Sequence, residues 1–419
     1  MKQRVSLKHL CGVLNIPSFK KEQKDILKAV LDDRDVIGVL PTGFGKSICY
    51  IAPHLIKEKT VIVISPLVSL MKDQQRRYST VCRTFASFGN QDIHDSDGVL
   101  LSHDEKKSIY SGETSCVLYM TPESFISRSD WIQGMERHIC LIAIDECHCI
   151  TSWSDFRSSY TQLNTIKTLF RKSPSIMAVT GTATKSTVNK IISELKLSDP
   201  LRIHISPNRD DLYLSVIKRK SFEKAMQIIR EFINGKTIIY CKTKRDTEKI
   251  ANYLRMWGYL TGYYHAGLSS EERTKIQDQF TSGRINVIGA TIAFGMGVDI
   301  PDIETIIHYG VPRDIESYCQ EIGRAARSPG LDGNCLVLWS SGDFVVNKHF
   351  LKMMNDPYLR AQQEAKMRVM SSYINNTRLC RMEFINNYFL GDSQQNRVSC
   401  GKCDICMNKS NPPCFFSVD

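Results

Sequence analysis

DVIGVLPTGFGKSICY, residues 35–50, runs from a β-branched apolar segment through a glycine-bearing loop into a stretch with helical spacing. Strand, loop and helix start, in that order, are what a phosphate-cradling loop requires. Glycines let backbone N–H groups turn toward one point, and the helix N-terminus adds its partial positive charge. Gly43 and Gly45 supply the freedom, with Thr42 and Phe44 completing the loop. Lys46 is then placed for the β and γ phosphates of ATP and Ser47 for a Mg²⁺ ion. The strict pattern has a glycine where this chain has Leu40. A chance glycine-lysine-serine in a surface loop is the alternative, and the flanking strand and helix weigh against it.

Working outward, the same rhythm recurs. TVIVIS, ICLIAID and IMAVTGT follow in the first half, and KTIIYC, INVIGAT, ETIIHYG and CLVLWS restart it after residue 210. Continuous apolar strands separated by helical stretches mean parallel sheets buried on both faces. An α/β fold with two such domains is expected, the break falling in ISPNRDDLY, where Pro207 and Asn208 interrupt the pattern. From about residue 342 the strands stop and helical spacing takes over. The expected domains are 1–205, 206–341 and a small helical domain 342–411, with a tail 412–419.

The chain has 419 residues, a formal net charge of +11 and 15 cysteines. That length calls for more than one core, and the charge gives a field that favours a polyanionic partner. MKQRVSLKHL has no apolar stretch of the signal-peptide kind, so an intracellular, non-secreted protein with reduced thiols is expected, nucleus and cytoplasm not being separated. The most apolar run, VIVISPLVSL, is too short for a bilayer of ~30 Å, so no membrane association is expected.

LIAIDECHC, residues 141–149, supplies what a phosphate loop lacks. Asp145 closes an apolar strand, where a carboxylate can hold Mg²⁺, and Glu146 beside it can orient a water. Near the other end, SCGKCDIC, residues 399–406, sets three cysteines at steps of three; a tetrahedral zinc site needs a fourth.

LPTGFGKS, the DECH box and their spacing resemble a superfamily 2 helicase, built from two RecA-like domains. Details narrow the resemblance to the RecQ family over nearly the whole chain. FKKEQ, 19–23, resembles its adenine-reading motif, which implies Gln23 as the base-edge amide. SPLVSLMKDQ, from 65, and TPES, from 121, stand where contacts to a DNA backbone are implied, helix capping by Ser65 and Thr121 being the plainer alternative. CITSWSDFRSSY, 149–160, resembles the family's aromatic-rich loop. Trp153 and Phe156 offer faces on which unpaired bases stack, worth about 1–3 kcal/mol each, and Arg157 adds a cation. TGTATK, 180–185, implies Thr182 and Thr184 as hydroxyl donors, with His148 of DECH reaching the same region. YYHAGLSSEER and GATIAFGMGVDIP resemble backbone-gripping and nucleotide-facing motifs, the latter with Gly295, Gly297 and Asp299.

ESYCQEIGRAARSPG, 316–330, carries Gln320, Arg324 and Arg327, which helical spacing puts on one face. The resemblance implies Arg327 as the arginine finger, with Arg324 beside it, a role worth about 10³–10⁵ in rate. Family members have glycine where Ala326 stands, a change expected to be small. LCRMEFINNYFL, 379–390, brings Cys380, and the set Cys380, Cys400, Cys403 and Cys406 reproduces the RecQ zinc arrangement. Cys414 is the substitute ligand. Four protein ligands leave no open position, so the zinc is expected to be structural.

The resemblance thus implies an ATP-dependent 3′–5′ DNA helicase or translocase, with Gln320, Arg324 and Arg327 joining Lys46, Asp145 and Glu146 as the catalytic set. Expected cofactors are ATP, Mg²⁺ and structural Zn²⁺. Expected partners are single-stranded and partly duplex DNA, with RNA as the alternative, and a separate protein carrying the family's winged-helix wedge; the expected state is a monomer. An ATP-driven switch that does not unwind is the reading from another class.

Overall fold

The computed structural model describes residues 6–152, 158–294, 300–391 and 399–410. Its contacts divide the chain into two compact units, Met1–Ile205 and Ser206–Asp419. In the first, seven strands form one sheet: β1 Val36–Val39, β2 Thr60–Ile64, β3 Thr84–Ser87, β4 Val117–Met120, β5 Ile139–Ile144, β6 Ser175–Thr180 and β7 Leu201–His204. Their order is β3-β4-β2-β5-β6-β1-β7, and every pairing is parallel. The strands read as unbroken apolar runs because both faces are covered. Ile62, Ile64, Ile142 and Ile144 point into one core, while Val61, Val63, Leu141 and Ala143 point into the other. Parallel pairing places the C-terminal ends of β1, β5 and β6 side by side at one sheet edge.

The second unit repeats the plan with β8 Leu212–Lys218, β9 Lys236–Cys241, β10 Thr261–Tyr264, β11 Val287–Ala290, β12 Ile303–Tyr309 and β13 Gly333–Trp339. The order is β10-β11-β9-β12-β13-β8, again parallel. Ile238 and Tyr240 face one core, Ile239 and Cys241 the other. The helices Pro357–Asn375 and Arg381–Leu390 bury Met370, Tyr373, Ile385 and Phe389 in the same core as Leu214 and Val337, so the helical region is continuous with this sheet's packing. Among the described residues no helix is long and apolar enough to cross a membrane.

Candidate nucleotide site and cysteine cluster

The phosphate loop turns on two left-handed glycines, Gly43 at φ 78° and Gly45 at φ 92°, and the helix Lys46–Lys57 starts immediately after. Gly45 is needed twice over, since a Cβ there would stand 2.7 Å from Gln23 Nε2. Gln23 is buried, and its amide is bonded to the loop: Nε2 donates to the carbonyls of Phe44 at 3.0 Å and Gly45 at 3.4 Å, while Oε1 accepts from Lys20 N–H. The Lys20 ammonium lies 4.3 Å from the Phe44 ring centroid. Lys46 Nζ donates to the Leu40 carbonyl at 3.3 Å, and Ser47 Oγ shares a 2.9 Å hydrogen bond with the Tyr78 hydroxyl. A Cβ at Gly181 would stand 3.7 Å from both Lys46 Nζ and Thr42 Oγ1, so the end of β6 lies against the loop.

Asp145 and Glu146 follow β5. Asp145 is 2% exposed, and burial together with the neighbouring Glu146 pushes its carboxyl up to about 6, against the pull of Lys46. Glu146 sits in the left-handed region, φ 49°, and its N–H donates to Asp145 Oδ1 at 2.9 Å. Strained backbone of this kind persists where the surroundings enforce it. His148 Nδ1 lies 3.2 Å from Glu146 Oε2 and 2.8 Å from Thr180 Oγ1. The structure therefore brings Lys46, Ser47, Asp145, Glu146 and His148 to one edge of the first sheet.

Within TGTATK, Thr180 Oγ1 is the hydroxyl that lies at His148 Nδ1. Thr182 donates its N–H to Thr180 Oγ1 at 3.4 Å, and Thr184 caps the helix Lys185–Glu194 by accepting from Thr187 N–H. Tyr78 at Ser47 and Gln74 at Asp145 were also not anticipated; both lie in or after the quoted SPLVSLMKDQ, whose helical spacing was the available signal. Thr121 accepts from Ser124 N–H as a helix cap. Trp153, Phe156, Arg157, Gly295, Gly297, Asp299 and Cys414 lie outside the described residues.

The arginine segment corrects the sequence reading. Gln320 lies in the helix Ile315–Ile322, which ends at Gly323, so Arg324 and Arg327 do not continue its face. The chain tightens instead: Arg324 N–H donates to Glu321 O, and Ala326, at φ 53°, donates to Ile303 O on β12. The helix stops at Gly323, still in the right-handed region, and the left-handed Ala326 follows only after a further turn, so helical spacing misplaced the pair. The alanine at 326 places a Cβ in the left-handed region, where glycine is favoured.

Cys380, Cys400, Cys403 and Cys406 gather with all four sulfurs within 4.8 Å of one another. Cys380 precedes the helix Arg381–Leu390, Cys403 precedes the helix Asp404–Ser410, and Cys406 lies within the latter. The Cys380 and Cys403 sulfurs are 3.9 Å apart, against about 3.8 Å expected for a tetrahedral ion with ~2.3 Å bonds. Backbone N–H groups of Cys400, Arg381 and Cys406 point at these sulfurs from 3.4–3.5 Å, as suits thiolates. The donor set fits zinc. Around it, Arg381 forks onto Asp404 at 2.8 and 2.9 Å, Asp404 Oδ2 accepts from Val216 N–H, and Leu214 pairs with Cys403 in a parallel bridge.

The DEAD/DEAH box helicase family matches residues 20–191, the helicase conserved C-terminal domain residues 220–329, and the RecQ zinc-binding domain residues 341–407. A protein of Acanthamoeba polyphaga mimivirus, provisionally named an ATP-dependent RNA helicase, is 36% identical over 400 residues, 94% of this chain and 70% of that one. The ATP-dependent DNA helicase RecQ of Pasteurella multocida is 34% identical over 409 residues. The chain belongs to the RecQ helicase family.

This RecQ chain covers 63% of the Pasteurella protein and 26% of the mouse bifunctional 3′-5′ exonuclease/ATP-dependent helicase WRN, to which it is 35% identical. Among solved structures it resembles yeast Dbp5 bound to RNA and ADP BeF3, with a TM-score of 0.61 at 14% identity over 87% of this chain and 97% of that one. Helicase MrfA bound to DNA and AMPPNP gives 0.64 at 18% identity, over 85% of this chain and 53% of that one. At such identities the likeness shows the fold alone. The fold is α/β, with two RecA-like parallel sheets followed by a RecQ zinc-binding region.

Proposed function

We propose that this RecQ chain is an ATP-dependent 3′–5′ DNA helicase or translocase that acts on single-stranded and partly duplex DNA. One observation carries the reading: the left-handed phosphate loop after β1 and the Asp145–Glu146–His148 group after β5 share one sheet edge with Thr180 of β6. Lys46 is assigned to the β and γ phosphates, Ser47 and Asp145 to Mg²⁺, and Glu146 to orienting the attacking water. Mg²⁺, when bound, neutralises charge that builds on the phosphoryl oxygens. The raised Asp145 carboxyl suits a cation partner, because a buried carboxylate beside another acid is short of positive charge. His148, held between Glu146 and Thr180, is assigned to coupling with the nucleic-acid side, as are Trp153, Phe156 and Arg157 from the sequence. Arg324 and Arg327 are assigned as the arginine pair, with Gln320 and the Gly295–Asp299 segment on the nucleotide. The second unit is read as a helicase domain over 206–341 and a zinc domain over 342–411, in keeping with the family matches at 220–329 and 341–407.

A second reading, action on RNA, draws on the name of the mimivirus relative and on the fact that phosphate contacts carry little base information. The test is unwinding of a duplex with a 3′ single-stranded tail beside a 5′-tailed control, with hydrolysis recorded on matched DNA and RNA oligomers. Separation of the 3′-tailed DNA substrate alone is expected. Stimulation by RNA but not DNA would overturn the proposal, and DNA-stimulated hydrolysis without separation would reduce it to a translocase or switch.

A further inference from the structure

The second unit buries a polar group that no role assigned above requires. His308, on β12, is 3% exposed, and its Nε2 lies 2.7 Å from Glu321 Oε2. Its ring stacks on Tyr240 of β9, with centroids 5.4 Å apart at 24°, and meets Tyr318 at 5.2 Å. His308 Nδ1 is buried without a hydrogen-bond partner among the described residues. The geometry places His308 Nε2 to donate to the Glu321 carboxylate, with Nδ1 facing the apolar core. Burying such a pair in an apolar core is costly unless it fixes something that packing alone would leave free.

What it joins is specific. The Tyr240 hydroxyl donates to the carbonyl of Phe294, in the turn after β11, at 3.3 Å. Burial pushes that hydroxyl up to about 12, opposed by the Arg324 guanidinium beside it. Arg324 N–H in turn donates to the Glu321 carbonyl at 3.2 Å, and Arg324 Nε is itself buried without a partner among the described residues. The turn after β11, the strand β12 and the segment bearing the two arginines thus converge on one Tyr240–His308 stack. An apolar residue at 308 or 321 could fill the space but could not fix the azimuth of the Ile315–Ile322 helix, because apolar contacts have no direction and hydrogen bonds do.

We infer that Tyr240, His308 and Glu321 form a positioning node that holds the Arg324 segment at the angle its role in turnover requires. This rests on the nucleotide-hydrolysis reading above. The node touches no phosphate itself, so its loss should appear in kcat and not in nucleotide affinity.

The test uses the full chain with Glu321→Gln, which keeps shape and removes the charge, and Tyr240→Phe, which keeps the stack and removes the hydroxyl. Hydrolysis of ATP saturated with single-stranded DNA is measured beside thermal melting, with Lys46→Ala as the control for the motor reading. Expected is a kcat lowered about 5- to 10-fold in Glu321→Gln and less in Tyr240→Phe, with KM for ATP unchanged and melting preserved. A kcat within about twofold of wild type in both, or a loss tracking a fall in melting temperature, overturns the node. Hydrogen exchange of the 315–328 amides reads the node without turnover: faster exchange in Glu321→Gln supports it, and unchanged exchange overturns it even if the wild type hydrolyses nothing and the motor reading falls.

Discussion

The two sheets of this chain share a plan and differ at their edges. In the first unit, β7 closes one edge as a short strand with every residue at least partly exposed, and packing on both faces sustains the sheet. In the second, the edge strand β8 does not end in solvent. Leu214 N–H donates to the Lys402 carbonyl and Val216 N–H to the Asp404 carboxylate, so the cysteine knuckle continues the ladder where a further strand would pair. An open edge with free N–H groups is a template for unwanted pairing, and covering it is one of the ways proteins manage that hazard. The first unit is thus expected to stand on its packing alone, whereas the second depends on a metal-held clip.

The strongest test of that contrast separates chemistry from architecture. Lys46→Ala should lower ATP hydrolysis at least about 100-fold while leaving DNA binding and zinc content in place; retained turnover would break the assignment of the first unit. Cys403→Ser should release the zinc and lower the melting of the second unit by about 10 °C, measured by metal analysis beside calorimetry. Amide exchange in β1, β2 and β5 should not change. Loosening of both units together would mean that the first also leans on the clip.

Asp314 sharpens the comparison within the second unit. It caps the Ile315–Ile322 helix by accepting from Ser317 N–H at 2.7 Å and also accepts from Gln363. Burial raises its carboxyl, but Arg313, Lys366 and the Ser317 N–H outweigh burial and hold it at about 2. A depressed carboxyl stabilises above its unfolded value near ~3.9 and ceases to do so as pH falls toward the folded one. Asp314→Ala should therefore cost about 1–2 kcal/mol at pH 7, and wild type and variant should converge in melting temperature between about pH 4 and pH 2. The smallest effect is at Ala326, where glycine would relieve a left-handed alanine at the cost of some chain entropy. A gain of about 0.5–1 kcal/mol in denaturant unfolding is expected for Ala326→Gly, and a loss would show that its Cβ packing matters more than its φ.

Most of the architecture was legible because buried parallel strands write themselves as apolar runs. DVIGVL, TVIVIS and ICLIAID were read directly and became β1, β2 and β5. The strands that escaped, β3, β4, β7, β8 and β10, are of two kinds. TFAS, LRIH, LYLSVIK and TGYY are edge strands whose polar or small residues break up an apolar run, while VLYM is an interior strand of only four residues. At the site, glycine, lysine and acidic residues were legible because their chemistry is fixed by type. Thr180 and Tyr78 were not, since a threonine ending a strand and a tyrosine ending a helix carry no local signature; only the fold brings them to His148 and Ser47. The arginine turn was missed because spacing shows where a helix can run and not where it stops, which here is Gly323.

The clip at β8 has a consequence for how the chain is made. Val216 and Asp404 are 188 residues apart, whereas the first sheet is assembled within the first 205 residues. Chains fold as they emerge from the ribosome, and contacts of long sequence separation form last. The first sheet can close while synthesis continues, but the second must wait with an unpaired edge until its knuckle has left the tunnel and found metal. A bare β8 edge during that interval is an aggregation hazard, and metal binding at the four cysteines closes it.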